Sequence, residues 1–110
     1  MARDPMDLLY GSLDMLILRA LAWEPMHGYG ISNFIRERTA GVLEIVDAAL
    51  YKSLHRLERQ SLVEGDWGVT GENRPAKFYK LTAGGRRALR QETAAWEQYV
   101  AAVSRVLAPA

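Results

Sequence analysis

The sequence contains no cysteine, which excludes a disulfide framework and any metal site built from thiolates. It also lacks a long apolar run near its start, since Met15–Leu18 ends at Arg19 and acidic residues precede it. A secretory signal or a membrane span cannot be assembled from such a segment. We therefore expect a cytoplasmic protein with no membrane partner.

Groups that commonly build catalytic or metal sites are scarce as well. The two histidines, His27 and His55, fall on different predicted elements and have no acidic neighbour at metal-ligand spacing. No glycine-rich phosphate loop precedes a helix with a Lys-Ser or Lys-Thr pair, and no Ser/His/Asp arrangement stands out. The sequence therefore predicts no metal, no cofactor and no enzymatic activity.

Charge is present but unevenly distributed. The chain of 110 residues has a net charge of only +1, yet residues 52–90 hold nine basic and four acidic residues. Residues 1–51 are net acidic, with four basic and seven acidic residues. Basic residues concentrated on neighbouring elements favour a polyanion-binding surface over an evenly solvated face.

One predicted helix, Asp47–Leu62, has two opposed faces. Leucines recur at helical spacing on one side, at Leu50, Leu54 and Leu57, and predict a buried stripe. The opposite side is small or basic and contains Ala48, Lys52, His55, Arg56 and Arg59. Such a helix can pack on a core while presenting cations and hydrogen-bonding groups outward.

A hairpin signal follows this helix directly. Leu62–Trp67 and Lys77–Thr82 have the composition of strands, and Gly68–Ala76 between them contains two glycines, an asparagine and a proline. A basic helix followed by a hairpin with a basic loop is the arrangement that a DNA-reading helix with an accessory wing requires.

Helices are predicted on both sides of these elements. Apolar spacing predicts a first helix over residues 8–23, stopped by Pro25. Met26–Gly30 is interpreted as a turn that opens a second helix, and Gly41 as the signal just past its end. Thr82 is a candidate N-cap for a last helix over residues 83–107.

The segment before the basic helix is short and β-branched. Val42–Val46 therefore predicts a small strand. Asp47 then predicts an N-cap, because its side chain can accept hydrogen bonds from the free amides of the first turn.

The last predicted helix carries an apolar seam with seven-residue spacing, typical of helix pairing. Its members are Leu89, Trp96, Tyr99, Val103 and Val106. Two interpretations remain open, and both can hold at once: the seam packs on the first helix, and it packs on a second copy of the chain.

Four segments of the sequence, in this order and at these separations, resemble the PadR-type transcriptional regulators. They are Gly11–Leu18, Met26–Ile31, Leu50–Glu58 and Lys77–Gly85. The resemblance covers nearly the whole chain and is to the short subfamily with one C-terminal helix. It implies a mainly α winged helix-turn-helix fold with a small β-hairpin, as one compact unit. Residues 1–82 would form the DNA-binding domain and residues 83–110 the dimerisation helix.

The resemblance also implies a function. Family members are homodimeric DNA-binding repressors with the third helix in the major groove and the hairpin as a wing, and some respond to phenolic or other aromatic molecules. Two-fold symmetry of such a dimer implies an inverted-repeat operator in double-stranded DNA. Ala48–Ala49 and Lys52 depart from the Gly-Ser or Gly-Thr pair and the proline that many members have, so we expect a different operator sequence.

The expected DNA contacts follow from these positions. Four side chains of the basic helix are expected to project toward the major groove: Lys52, His55, Arg56 and Arg59. On the wing, Arg74 and Lys77 are expected to hold the DNA backbone or minor groove. Tyr51 and Tyr29 are candidates for phosphate contacts, with packing on helix 2 and in the core, respectively, as alternatives.

A rival hypothesis uses the winged fold as a small-molecule-binding or protein-docking module. Its supporting feature is Trp96, an aromatic side chain on the predicted seam that would line a slot for a small aromatic effector. The alternative for Trp96 is a place in the core of a dimer.

Overall fold

The computed structural model describes residues 4–109, so residues 1–3 and 110 of the two predicted domain ranges lie outside the described residues. A 3-10 helix, here called the leading helix, spans Pro5–Gly11. The remaining elements are α1 (Leu13–Trp23), β1 (Met26–His27), α2 (Gly28–Arg38), α3 (Asp47–Arg59), β2 (Val63–Val69), β3 (Pro75–Leu81) and α4 (Ala83–Leu107). This order confirms the predicted mainly α fold with a small hairpin.

Three antiparallel strands form the sheet, in the order β1-β3-β2. The hairpin is longer than predicted: Val63 pairs with Leu81 and the ladder continues to Val69 opposite Pro75. Part of the segment predicted as a turn is strand β1, in which Met26 pairs with Tyr79. These two residues are extended because β3 offers them its free edge, which sequence spacing does not reveal.

The leucine stripe of α3 lies in the core, as predicted. Leu50, Leu54 and Leu57 are each at most 1% exposed and pack with side chains of α1, α2 and the sheet. The outer part of the hairpin stands clear of this core, and α4 extends the molecule to a longest dimension of 56 Å. The hairpin therefore contacts α3 at its base, whereas most of α4 beyond Leu89 is exposed.

The prediction of one continuous helix over residues 8–23 is wrong. The leading helix ends at Gly11 and α1 begins at Leu13, with Ser12 between them at φ −127° and ψ 0°. The Ser12 hydroxyl donates to the Leu9 carbonyl oxygen at 3.2 Å. Glycine and serine both weaken a helix interior, and the serine side chain offers the backbone an alternative partner.

The predicted strand at Val42–Val46 is also absent; these residues are irregular. Leu43 and Ile45 pack against the core while Val42 and Val46 are exposed. The Thr39 hydroxyl accepts from the Leu43 amide at 3.1 Å, so a side chain replaces a strand partner here. The short apolar run is thus used as a packed turn between α2 and α3.

Helix ends were predicted with mixed success. Gly41 lies in the left-handed region at φ +81°, just past α2, and Thr82 caps α4 by accepting from the Gly85 amide at 3.0 Å. Asp47 is wrong as the N-cap of α3: Val46 takes that position, and its carbonyl oxygen accepts from the Leu50 amide at 3.1 Å. Asp47 is the first helical residue, where its charge suits the positive end of the helix dipole.

The last helix leaves the core after its first two turns. Gly85 and Leu89 are buried, and Leu89 is only 8% exposed. Of the two interpretations of the seam, Leu89 therefore follows packing within the chain: its side chain is part of this chain's own core, and its predicted place in a dimer seam is corrected. Within residues 4–109, no helix has both the length and the apolar character that crossing a bilayer demands.

Candidate nucleic-acid interface

The outward face of α3 carries a row of exposed polar side chains. Lys52, His55 and Arg59 are all exposed, and Ala48 extends the row at the start of the helix. At 100° per residue these four positions lie within about 60° of one another, opposite the buried leucines. The row has the chemistry for duplex DNA, because lysine and arginine bind guanine O6 and N7 or phosphate.

Arg56 departs from its predicted position. It lies at the edge of this row, and its Nη2 donates to Asp14 Oδ1 of α1 at 2.5 Å. The hydrogen bond to Asp14, and then the charge of that carboxylate, raise the pKa of Arg56 above its ordinary value. The guanidinium is thus held against α1 in the free protein instead of projecting outward with Lys52.

Lys77 is held in a similar way on the other side of α3. Its Nζ donates to Glu58 Oε1 at 3.1 Å, and both side chains are about one-third exposed. This hydrogen bond raises the pKa of Lys77, against the opposing effect of partial burial. The pair joins α3 to β3, so the hairpin has a fixed position relative to the basic row.

Tyr51 faces the start of α2. Its side chain is 41% exposed, and a Cβ added at Gly28 would stand 2.7 Å from Tyr51 Cζ. Any larger residue at Gly28 would displace the ring. Tyr51 therefore packs on α2, as one of the two predicted alternatives has it, and keeps one edge in solvent; its contact with phosphate stays a prediction.

Residues around the start of α2 include one that sequence reasoning did not single out. His27 caps the helix, with Nδ1 accepting from the Gly30 amide at 3.1 Å. Its ring stacks on Phe78 of β3 at 5.1 Å between centroids and 8° between planes. The available signal was a histidine three residues before the amide that donates to it. Tyr29 beside it is 69% exposed, which disfavours the core-packing alternative.

The turn of the hairpin places Arg74 at the exposed end. The Thr70 hydroxyl accepts from the Arg74 amide at 3.2 Å, and the Thr70 amide donates to the Arg74 carbonyl oxygen at 2.9 Å. Asn73 takes a left-handed conformation at φ +62° to complete the turn. The backbone at Arg74 is thus fixed while its side chain is exposed.

An open groove of about 550 Å³ joins these elements. Its walls include Tyr29 of α2, Tyr51 and His55 of α3, and Trp67, Pro75 and Lys77 of the hairpin. Several predicted contact residues therefore surround one space. Arg56, on the opposite flank of α3, is not part of its lining.

A second groove, of about 610 Å³, lies between α4, the leading helix and α1. Three residues of the predicted seam line it, Trp96, Tyr99 and Val103, together with Val100 and Leu8, which the seven-residue spacing did not indicate. Trp96 is 43% exposed and lies 6.1 Å from the Tyr99 ring, whereas Val106 is 81% exposed and lies outside the groove lining. Most of the predicted seam is therefore uncovered in a single chain.

Residues 17–91 match the transcriptional regulator PadR-like family. The chain belongs to this family. The match runs from α1 to the early part of α4 and includes all of α3 and the hairpin. The resemblance inferred from the four sequence segments is thereby confirmed.

Relatives agree with this assignment. A protein from Lysinibacillus sphaericus described as uncharacterized is 32% identical over 92 residues, which is 84% of each chain. The PadR family transcriptional regulator from Eggerthella lenta is 32% identical with a TM-score of 0.80, over 94% of this chain and 88% of that one. A transcriptional regulator from Clostridium thermocellum is 26% identical with a TM-score of 0.82, over 90% and 96% of the two chains.

Membership in the PadR-like family fixes the broad function. The chain is a DNA-binding transcriptional regulator, and the family consists of regulators rather than enzymes. Among residues 4–109, no group of three metal-ligating side chains is present. The basic row of α3 and the neighbouring groove are the candidate surface for DNA.

Proposed function

We propose that this PadR-like regulator is a cytoplasmic homodimer that represses transcription by binding an inverted-repeat operator. The observation that supports this proposal most strongly is the outward row of Lys52, His55 and Arg59 on a helix anchored by buried leucines. A rigid helix that presents cations at successive turns suits the major groove, which is about 12 Å wide.

Within this proposal the side chains have different tasks. Lys52, His55 and Arg59 meet base edges or phosphates, while Tyr29, Tyr51 and Arg74 meet the DNA backbone. Arg56 and Lys77 hold α3 against α1 and β3 through Asp14 and Glu58. They set the angle at which α3 enters the groove and reach DNA only by leaving those partners.

A second copy of the chain is the proposed occupant of the uncovered face of α4. Tyr99 is 63% exposed and Val100 40%, and Leu8 on the leading helix is 64% exposed. Fully burying one such side chain contributes about 1.5–3 kcal/mol relative to exposure. Burial of several such side chains in each copy can offset the entropy lost on association. The division of tasks is then residues 1–82 for DNA and residues 83–110 for assembly.

Selection of bound duplexes from random DNA, followed by sequencing, tests the proposal directly. A two-fold dimer should select two inverted half-sites with centres about 10 base pairs, or a multiple of that, apart. Selection of single, non-repeated sites would contradict the dimer, and no enrichment at all would contradict sequence-specific binding.

Binding of a small aromatic effector is a second candidate function, favoured by the groove that Trp96 lines. The groove of about 610 Å³ falls in the size range of small-molecule sites and has Trp96 and Tyr99 for ring stacking. Titration with planar aromatic compounds should quench tryptophan fluorescence in the parent chain and not in Trp96→Leu. Quenching that is equal in both proteins would place the compound elsewhere.

A further inference from the structure

The ion pair between Arg56 and Asp14 removes one cation from the outward face of α3. This helix has three permanently charged cations, Lys52, Arg56 and Arg59. Arg56 follows Lys52 by four residues and therefore lies only about 40° further around the helix, at roughly 100° per residue. Its backbone position is thus close to the basic row, and its side chain is separated from that row by the contact with Asp14.

The carboxylate that holds Arg56 comes from another element. Asp14 lies in the first turn of α1, where the helix dipole favours a negative charge. The two side chains are 39% and 38% exposed, so the pair is at the surface and adds little to the stability of the fold. Together the guanidinium and the carboxylate have no net charge. The flank of α3 that faces α1 would gain a positive charge if Asp14 were neutral.

This flank is placed to meet DNA. A helix in the major groove has a phosphate strand on each side, and phosphate contacts fix its orientation. The groove next to the hairpin borders one side of α3, and the pair of Asp14 and Arg56 lies on the other side. A phosphate on that side meets a guanidinium that is already bound to an anion.

The pair therefore sets two anions in competition for one cation. The affinity of a protein for duplex DNA depends on how many phosphates its cations neutralise. A guanidinium that stays with Asp14 brings no net charge to the phosphates. A guanidinium that moves to phosphate leaves the Asp14 carboxylate unpaired beside the DNA. In both arrangements Asp14 lowers the affinity.

We infer that Asp14 is a positioning residue that restrains DNA affinity by holding Arg56 on α1, away from phosphate. The inference rests on the proposed function, in which α3 occupies the major groove. The restraint acts on DNA of every sequence, because phosphate contacts carry no sequence information. Loss of the carboxylate should therefore strengthen DNA binding, whereas loss of the arginine should weaken it.

Substitution of Asp14 by asparagine tests this inference, since it removes the charge and keeps the size. A dimer of Asp14→Asn should neutralise two more phosphates, so the slope of log affinity against log salt should steepen by about 1.8. The gain in affinity over the parent should then be about twelvefold larger at 50 mM than at 200 mM salt, on operator and random DNA alike.

Two control variants keep the salt slope of the parent under the inference. Asp14→Glu keeps a carboxylate at this position, and it should bind DNA as the parent does. Glu97→Gln is the matched control for loss of one negative charge, because Glu97 is exposed on α4 and lies outside the groove that Trp96 lines. A steeper slope in Glu97→Gln would show that net charge alone causes the effect and would overturn the inference.

Two further variants show whether Arg56 is responsible for the gain. Asp14→Asn combined with Arg56→Gln should lose both the tighter binding and the steeper slope, because no cation is released. Arg56→Gln alone should keep the slope of the parent, since Arg56 is not among the phosphate contacts of the parent. A double variant that still binds more tightly would show that Asp14 acts only through its own charge and would overturn the inference.

Fluorescence anisotropy at several salt concentrations measures these slopes and separates the inference from the proposed function. Duplex binding by the parent that is independent of salt, or shows no preference for the selected operator, contradicts the proposed function. If the parent binds as proposed, an unchanged slope in Asp14→Asn overturns the role of Asp14 alone. A shallower slope in Arg56→Gln has the same consequence, because Arg56 would then already contact phosphate.

Discussion

The outward faces of α3 and α4 have opposite chemistry. α3 buries its leucines and exposes Lys52, His55 and Arg59, whereas α4 beyond Leu89 exposes Trp96, Tyr99 and other apolar side chains. A basic face is stable in water without a partner, but a large apolar face in water usually marks an interaction site. The outward face of α3 is therefore suited to bind a polyanion, and the outward face of α4 is suited to bind an apolar surface.

The largest expected effect is that of salt, which should weaken binding through the α3 face far more than binding through the α4 face. If a dimer neutralises about six to ten phosphates, operator affinity should fall by roughly 10³–10⁵ between 50 and 200 mM salt. Self-association through α4 should change little over the same range, because apolar contact carries no counterions. Fluorescence anisotropy and sedimentation velocity measure the two quantities, and a flat salt dependence of DNA binding would contradict the assignment of α3.

A charge placed on the exposed apolar face of α4 should prevent self-association through that face. Val103→Asp puts a carboxylate into the groove that Trp96 lines, so we expect a monomer in sedimentation experiments. Operator affinity should drop by about 10²–10⁴, because two linked half-site contacts become one. Ala101→Asp, on the exposed side of α4 outside the groove, is the control and should remain dimeric. If the unmodified protein is a monomer at micromolar concentration, the exposed apolar side chains of α4 do not form a dimer interface.

Substitutions of two arginines of α3 should show which of them contacts bases and which one positions the helix. Arg59→Ala should cost about 1–3 kcal/mol on the selected operator and less on random DNA, if Arg59 reads a base. Arg56→Ala should cost similar amounts on both DNAs, because Arg56 is engaged with Asp14 and acts by positioning α3. Arg105→Ala, near the end of α4, serves as the control for loss of charge. A larger operator-specific loss for Arg56 than for Arg59 would reverse these two roles.

The smallest effect is expected for the ion pair that fixes the hairpin to α3. Glu58→Gln should lower the free energy of unfolding by less than about 1 kcal/mol, since the pair is one-third exposed. Glu64→Gln should have no measurable effect, because its pair with Lys80 is more than half exposed. Urea unfolding measures the free energy of unfolding of the two variants. Equal losses would show that the Glu58–Lys77 pair stabilises the protein no more than the exposed Glu64–Lys80 pair does.

The contact between β3 and α3 also predicts how the free energy of unfolding depends on pH. Burial raises the pKa of Tyr79, and the hydrogen bond to Glu58 raises that of Lys77. A pKa raised on folding stabilises the protein below the unfolded value, near 10 for both groups, and this stability is lost as pH rises through the folded value. Unfolding free energy should therefore fall above about pH 10, and less steeply in Tyr79→Phe. A stability that is constant up to pH 11 would contradict the assignment.

Much of α3 and α4 could be predicted from local pattern. The 3.6-residue period places Leu50 and Leu57 inward and Lys52 and Arg59 outward wherever the helix packs. Thr82 predicts its helix start because capping depends on neighbours three residues away. The resemblance to the PadR family rested on similar short segments and was confirmed.

Other features depended on contacts between residues far apart in the sequence. Asp14 and Arg56 are 42 residues apart, so no local pattern shows that the carboxylate holds the guanidinium beside α1. Met26 and His27 form a strand because β3 passes beside them, whereas Val42–Val46 pairs with none of the described strands. Leu89 shares the spacing of the exposed seam but packs in the core, since the first turns of α4 lie on α1.

The sequence by itself determined which helix faces are apolar, which are basic and where α4 begins, because periodicity and capping act within a few residues. Only the tertiary structure decided which of those side chains are available to a ligand. Arg56 and Lys77 are engaged by Asp14 and Glu58, and Trp67 is left exposed beside the α3 groove. The physical reason is that ion pairs and burial depend on distances set by packing between elements, whereas the period of a helix does not.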